Sequence, residues 1–200
     1  MLIQLLIFLL DAVSGFFTAA LLARFILQMV KAPFRNPLGQ FVIAVTDWIV
    51  RPVRRIIPGL FGWDMASLLL ALLAQALFLG LTLGLSGTLL NAPQGYLFYG
   101  VSPAPIFMVV LLAVLAIFKI AGYLLLGAVL VSAIFSWVNP YAPMAGLFDA
   151  LTRPLLRPFR RLVPPVGGVD LSPLVLLLVL QIALFVLATL RNGVLPAIIF

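Results

Sequence analysis

A chain of 200 residues that is 65% hydrophobic and only 8% charged lies outside the range of soluble globular domains, in which about a quarter of residues are charged, and no soluble domain is expected in it. Twelve Lys and Arg against five Asp give a net charge of +7, and there is no His, Cys or Glu. Disulfides, Cys-ligated metal or iron–sulfur sites, the commonest general base and the usual haem ligand are thereby removed, so no enzyme, resident metal or cofactor is expected.

The first apolar stretch, about residues 3–30, has no basic leader and no small-residue cleavage site after a short apolar run. It reads as a membrane span rather than a removable signal peptide. Asp11 lies well inside it, Arg24 nearer its far end, and Gly15, Ala19 and Ala23 form a stripe of small residues. A basic connection follows, carrying Lys31, Arg35, Arg51, Arg54 and Arg55. Within it, residues 38–50 place Phe41, Val45, Trp48 and Ile49 at helical spacing. That predicts a short amphipathic helix lying on the membrane face or dipping into it, with the Arg and Pro residues beyond it in a loop. Asp64 precedes the second stretch, 65–90, which holds Gln75 and the Gly80/Gly84 pair.

Residues 91–105 form a short connection without charge. The third stretch, 106–138, contains Lys119, and the connection after it carries Arg153, Arg157, Arg160 and Arg161 beside a second short apolar segment, 144–156. Asp170 precedes the fourth stretch, 171–190, with Gln181 inside it and a tail beginning at Arg191. Each stretch reaches the ~20 residues that a spanning helix needs, and none alternates as the strands of a membrane barrel do. Because Lys and Arg are retained on the inner side, both basic connections are expected in the cytoplasm, with the short connection and both termini outside.

Shifting the sequence by 106 positions superimposes Pro37/Pro143, Thr46/Thr152, Arg51/Arg157, Pro52/Pro158, Arg54/Arg160, Arg55/Arg161, Pro58/Pro164, Gly62/Gly168, Asp64/Asp170 and Gln75/Gln181 without a gap. Polar matches in register mark an internal duplication. The expected fold is an all-α membrane protein with four transmembrane helices in two parallel tandem repeats, 1–90 and 106–200, joined by 91–105. Each repeat adds a short amphipathic interfacial helix in its basic connection. With an even number of spans per unit, the copies share one orientation about an axis along the membrane normal.

Arg51-Pro-Val-Arg-Arg-Ile-Ile-Pro58 with Gly62-Trp-Asp64, and Arg157-Pro-Phe-Arg-Arg-Leu-Val-Pro164 with Asp170-Leu-Ser-Pro173, resemble the signature loop of the YggT family. The second copy follows the pattern closely, with Ser136-Trp137 before the loop. The first departs from it, with Gln28-Met29 and Asp64-Met-Ala-Ser67 at those places. The resemblance spans nearly the whole chain and implies a bacterial inner-membrane protein, with chloroplast relatives. It further implies a setting in osmotic tolerance, cell division or, as for some chloroplast relatives, haem attachment in a membrane complex; it implies no common biochemical activity.

The residues open to function are few. Arg51, Arg54, Arg55, Arg157, Arg160 and Arg161 can bind anionic lipid headgroups or an acidic segment of a membrane or cytoplasmic partner, or can simply fix topology. Nucleic acid is not expected despite a pI near 10.9, because no groove-binding motif accompanies the charge. Asp64 and Asp170 fit helix N-caps, with cation binding as the alternative. Gln75 and Gln181, eleven residues further on, are expected at mid-bilayer, meeting across the repeat axis or lining a polar pathway. Asp11 and Lys119 differ by 108 positions, the shift that aligns spans one and three, and are expected at one depth, as an ion pair or near the outer interface. Those four residues would line a channel or transport accessory, the alternative function. The small-residue stripes permit close helix packing, within the chain or in a homo-oligomer.

Overall fold

The structure is a computed structural model that describes residues 2–32, 34–57, 59, 63–85, 103–139, 141–142, 144–162 and 170–194. The matched Pro58/Pro164, Gly62/Gly168, residues 86–102 and the tail beyond 194 lie outside the described residues. The chain is all-α: α1 (Leu2–Met29), α2 (Pro37–Ile56), α3 (Met65–Leu85), α4 (Pro103–Val138), α5 (Ala145–Leu162) and α6 (Ser172–Val194). Four of these, α1, α3, α4 and α6, are long and apolar enough to cross a bilayer, so the protein is a multi-pass membrane protein.

α2 and α5 are longer than the expected amphipathic segments. They run on through the basic clusters, so Arg51, Arg54 and Arg55 belong to α2 and Arg157, Arg160 and Arg161 to α5, rather than to loops. Pro52, Pro154 and Pro158 sit inside these helices on exposed positions. There a carbonyl freed by the missing N–H can turn to other partners instead of being trapped in a core. The Asn36 side chain starts α2 by accepting the Gly39 N–H at 2.7 Å, an N-cap that supplies one of the first-turn donors with a partner. Gly39 is required at that point, because a Cβ there would lie 2.9 Å from the Phe34 backbone.

One face of each of these two helices is buried: Gly39, Val42, Thr46 and Val50 on α2, and Leu147, Leu151, Thr152 and Leu156 on α5. The buried cores of the two halves use matched positions. Leu21, Val50 and Leu70 meet in one cluster, and Val129, Leu156 and Leu176 in another, related by 108 positions in the spans before the connection and by 106 after it. Two residues are therefore lost from the first copy's pattern, or gained by the second, around the start of the basic connection.

The copies are staggered along α4. Leu79 of α3 packs with Leu112 and Ala113 of α4. Leu184 of α6, matched to Phe78 of α3, instead lies against Gly122, where an added Cβ would stand 2.8 Å from its side chain. Equivalent levels of the two halves thus meet α4 about ten residues apart, or about 15 Å. A helix of 36 residues, about 54 Å long, exceeds a hydrocarbon thickness of ~30 Å and can carry both contacts. Gly15 and Gly80 face open space, so neither small-residue stripe brings helices together at those positions.

Candidate functional site

At the basic end of the first half, one buried arginine gathers the polar side chains of three helices. Arg24 of α1 is 5% exposed, Thr46 of α2 is fully buried and Asp64, just before α3, is 2% exposed. Arg24 Nη1 donates to Thr46 Oγ1 at 2.9 Å and Nη2 to Asp47 Oδ1 at 3.1 Å, and Nε lies 3.6 Å from Asp64 Oδ2. The Thr46 hydroxyl in turn donates to the Val42 carbonyl one turn back, at 2.6 Å, so its oxygen is free to accept from Arg24. An ionised side chain inside a span is costly unless paired, and Arg24 has two carboxylates and a hydroxyl.

Asp64 also receives a two-point clasp from Arg54, whose Nε lies 3.1 Å from Oδ1 and Nη2 2.5 Å from Oδ2. Such a fork binds a carboxylate with fixed geometry. Arg54 Nη2 reaches Gln28 Oε1 of α1 at 2.7 Å. The Ser67 N–H donates to Asp64 Oδ1 at 3.3 Å and the Ser67 hydroxyl to Oδ2 at 2.6 Å, which is an N-cap for α3. Burial pushes the Asp64 carboxyl up, but the hydrogen bonds from Arg54 and Ser67 outweigh it and hold the group below the usual carboxylate value. Arg51 completes the network on the surface, 2.7 Å from Asp47 one turn earlier.

The second half keeps the outer clasp and loses the buried charge. Arg160 Nε lies 2.8 Å from Asp170 Oδ2, and the Ser172 N–H donates to Asp170 Oδ1 at 2.9 Å. Burial raises the Asp170 carboxyl, and hydrogen bonds from Ser172 together with Arg160 bring it below the ordinary value. Where the first copy has Arg24, the second has Ser132, which meets Thr152 at 3.2 Å. Asp47 is matched by Arg153, whose partner is Asp149 on the same helix, at 2.8 Å. Each substitution removes the need for the other: without a buried cation, an acid at the matched position has nothing to neutralise.

Of the two aspartates that the sequence marks as helix caps, Asp64 caps α3, whereas Asp170 lies two residues before the start of α6 and accepts the Ser172 N–H; both are partners of the matched arginines, Arg54 and Arg160. The remaining cations of that set behave differently. Arg55, Arg157 and Arg161 are exposed and form no ion pair among the described residues. Beside α5, an apolar groove of about 620 Å³ runs between the halves, lined by Leu22, Phe25, Met29, Phe118 and Pro154 among others.

The four intramembrane polar residues do not converge. The Gln75 amide donates to Thr18 Oγ1 of α1 at 3.1 Å, inside its own half, and does not meet Gln181, which is exposed on α6. Leu126 occupies the position matching Thr18, so Gln181 has lost that partner. Asp11 is exposed on α1, and Lys119 lies with Nζ 5.8 Å from the Tyr123 ring centroid; no described ion pair joins them. The stagger explains this. Ile117, two residues before Lys119, packs in the cluster with Leu21 and Leu22, about 15 Å along α1 from Asp11. The Gln75–Thr18 bond is of a kind worth about 0.6–2 kcal/mol between membrane helices. Gln75→Leu and Thr18→Val should each lower unfolding stability in mixed micelles by that amount, and the double variant by little more than either.

A family model described as CCB3/YggT matches residues 3–85 and again 106–191, two copies of one unit within the chain. The chain belongs to the CCB3/YggT family. It is 39% identical over 178 residues to an uncharacterised protein of Pseudomonas aeruginosa, covering 88% of this chain and 84% of that one. An uncharacterised protein from the proC 3′ region of Vibrio alginolyticus is 35% identical, with 90% and 91% covered. The uncharacterised Escherichia coli K12 protein YggT is 36% identical, with 88% and 85% covered. No solved structure matches the chain. Arg24 is the member of this CCB3/YggT site that the repeat pattern hid. A repeat is marked by identity between its copies, and the decisive residue is one at which they differ. The signal available was an arginine inside a span with two aspartates in the same half.

Proposed function

We propose that this CCB3/YggT protein acts without catalysis, as an inner-membrane protein that engages anionic lipid, and through it other membrane components, with the exposed faces of α2 and α5. Both helices lie on the cytoplasmic side in this reading, following the bias of basic residues. The observation that carries it is the division of labour among the arginines: Arg54 and Arg160 are committed to Asp64 and Asp170, whereas Arg55, Arg157 and Arg161 remain exposed. Three spare guanidinium groups on amphipathic helices suit phosphate headgroups, each worth about 1 kcal/mol near an anionic surface. The adjoining apolar groove suits acyl chains. A contribution to osmotic tolerance, division or assembly of a membrane complex fits such a surface, and rests on the family resemblance.

Exposed Trp48, Trp63 and Trp137 provide the test. In vesicles, brominated phosphatidylglycerol should quench the intrinsic fluorescence more than brominated phosphatidylcholine does. Replacing Arg55, Arg157 and Arg161 together with Gln should erase the preference while the protein still inserts. Equal quenching of the wild type by the two lipids would sink the proposal.

A further inference from the structure

We propose that two copies of this chain associate side by side through α6, with Gln181 of each meeting Gln181 of the other. Gln181 lies near the middle of the apolar span Ser172–Gly193 and is exposed. A primary amide at that depth has no water to bond, and its two donors and acceptor lone pairs need partners from protein.

The residues around it form a seam. Leu174, Leu178, Gln181, Phe185 and Ala188 are spaced by four, three, four and three, and every one is exposed. That is the 3.5-residue spacing by which helices pack along their whole length. In the first half four of the five matched positions, Leu68, Leu72, Gln75 and Leu79, are already covered: Leu68 and Leu72 pack against the core, Gln75 bonds Thr18 and Leu79 packs with Leu112 and Ala113 of α4. The same stripe of the same unit is thus an interface in one copy and lies open in the other.

A second chain fits this opening for two reasons. Equivalent chains insert in the same orientation, so two α6 helices side by side run parallel and bring equal positions to equal depth. An amide is then its own complement, donor to acceptor in both directions across a two-fold axis. Repeating the contact that covers α3 would instead place the α1 helix of a neighbouring chain on α6. That contact carries the stagger of about ten residues seen along α4, and successive chains would climb out of the bilayer. The two-fold arrangement closes with none.

The chain contains no Cys, so single cysteines can be placed in the full-length protein in native membranes without background. Leu178→Cys, Gln181→Cys and Phe185→Cys should form disulfide-linked dimers on mild oxidation. Val179→Cys and Val186→Cys, also exposed but turned away from the seam, should not. In a Gln181→Leu background the dimer fraction, followed by energy transfer between labelled chains in vesicles, should correspond to dissociation at least about threefold easier. Folding of that variant is checked by its helical circular dichroism. Crosslinking at all five positions alike, no crosslinking with monomers by energy transfer, or an unchanged dimer in Gln181→Leu would each overturn the proposal.

Discussion

Asp64→Asn should destabilise the folded protein by about 3–5 kcal/mol, measured as loss of helicity during titration of mixed micelles with a denaturing detergent, whereas Asp170→Asn should cost only about 1 kcal/mol. The contrast follows from burial. The Asp64 side chain is 1% exposed and sits between Arg24, 6% exposed, and Arg54. The change leaves buried Arg24 with Asp47 as its one carboxylate and Arg54 with none, and breaking a buried charge network in this way costs several kcal/mol. Asp170 and Arg160 are 30% and 43% exposed, so solvent screens what remains, and an exposed pair is worth little. Equal losses in the two variants would show that the buried arginine does not set the difference between the halves.

The same residue fixes the direction of the pH response. The Asp64 carboxyl is held below the 3.8 of an unperturbed aspartate. A group with a lowered folded value adds stability that is fully present above the unfolded value, and this is lost as pH falls through the folded value. Stability should therefore be flat with respect to Asp64 from neutral pH down to about pH 4 and decline below it. In Asp64→Asn that part of the decline should be missing, which detergent titration at pH 3 and pH 6 would show.

Hydropathy was enough to locate the four spans, because lipid imposes a length and an apolar composition that little else satisfies. The ends were less legible. α2 and α5 run through Pro52, Pro154 and Pro158, residues that usually end helices; what overrides them here is the apolar face, which continues beyond Val50 and Leu156 to the partly buried Val53 and Phe159 packed on the same clusters. Gln75 and Gln181 stay apart for a different reason. Matched sequence positions are not matched depths, because nothing in the register of a duplication states how far one copy slides along the other. That offset is set by side-chain packing on α4, at Leu112 and Ala113 for one half and Gly122 for the other. Arg24 was visible in the sequence, yet its meaning required Thr46 and Asp47 of α2 and Asp64, just before α3, to be brought to it on α1.

The second half, which has Ser132 in place of a buried arginine, also predicts how the first half could be simplified. Arg24→Ser alone should cost about 3 kcal/mol, since it takes the cation away from Asp47 and Asp64 while leaving both acids in place. Ser at that position can still meet the Thr46 hydroxyl, as Ser132 meets Thr152, so the loss is electrostatic more than steric. Adding Asp47→Arg reproduces the second copy at both positions, Ser132 and Arg153. One carboxylate then remains, clasped by Arg54 as Asp170 is clasped by Arg160. The double variant should recover at least about 1 kcal/mol relative to Arg24→Ser, a coupling of the size found between residues sharing one charge network. Strict additivity in the same detergent titration would mean that Asp47 is neutralised by Arg51 alone, 2.7 Å away on the surface, and that Arg24 serves Asp64 only. Recovery would instead mark Arg24 and Asp47 as a coupled pair, with each half of the protein holding one self-consistent way of joining its amphipathic helix to the spans.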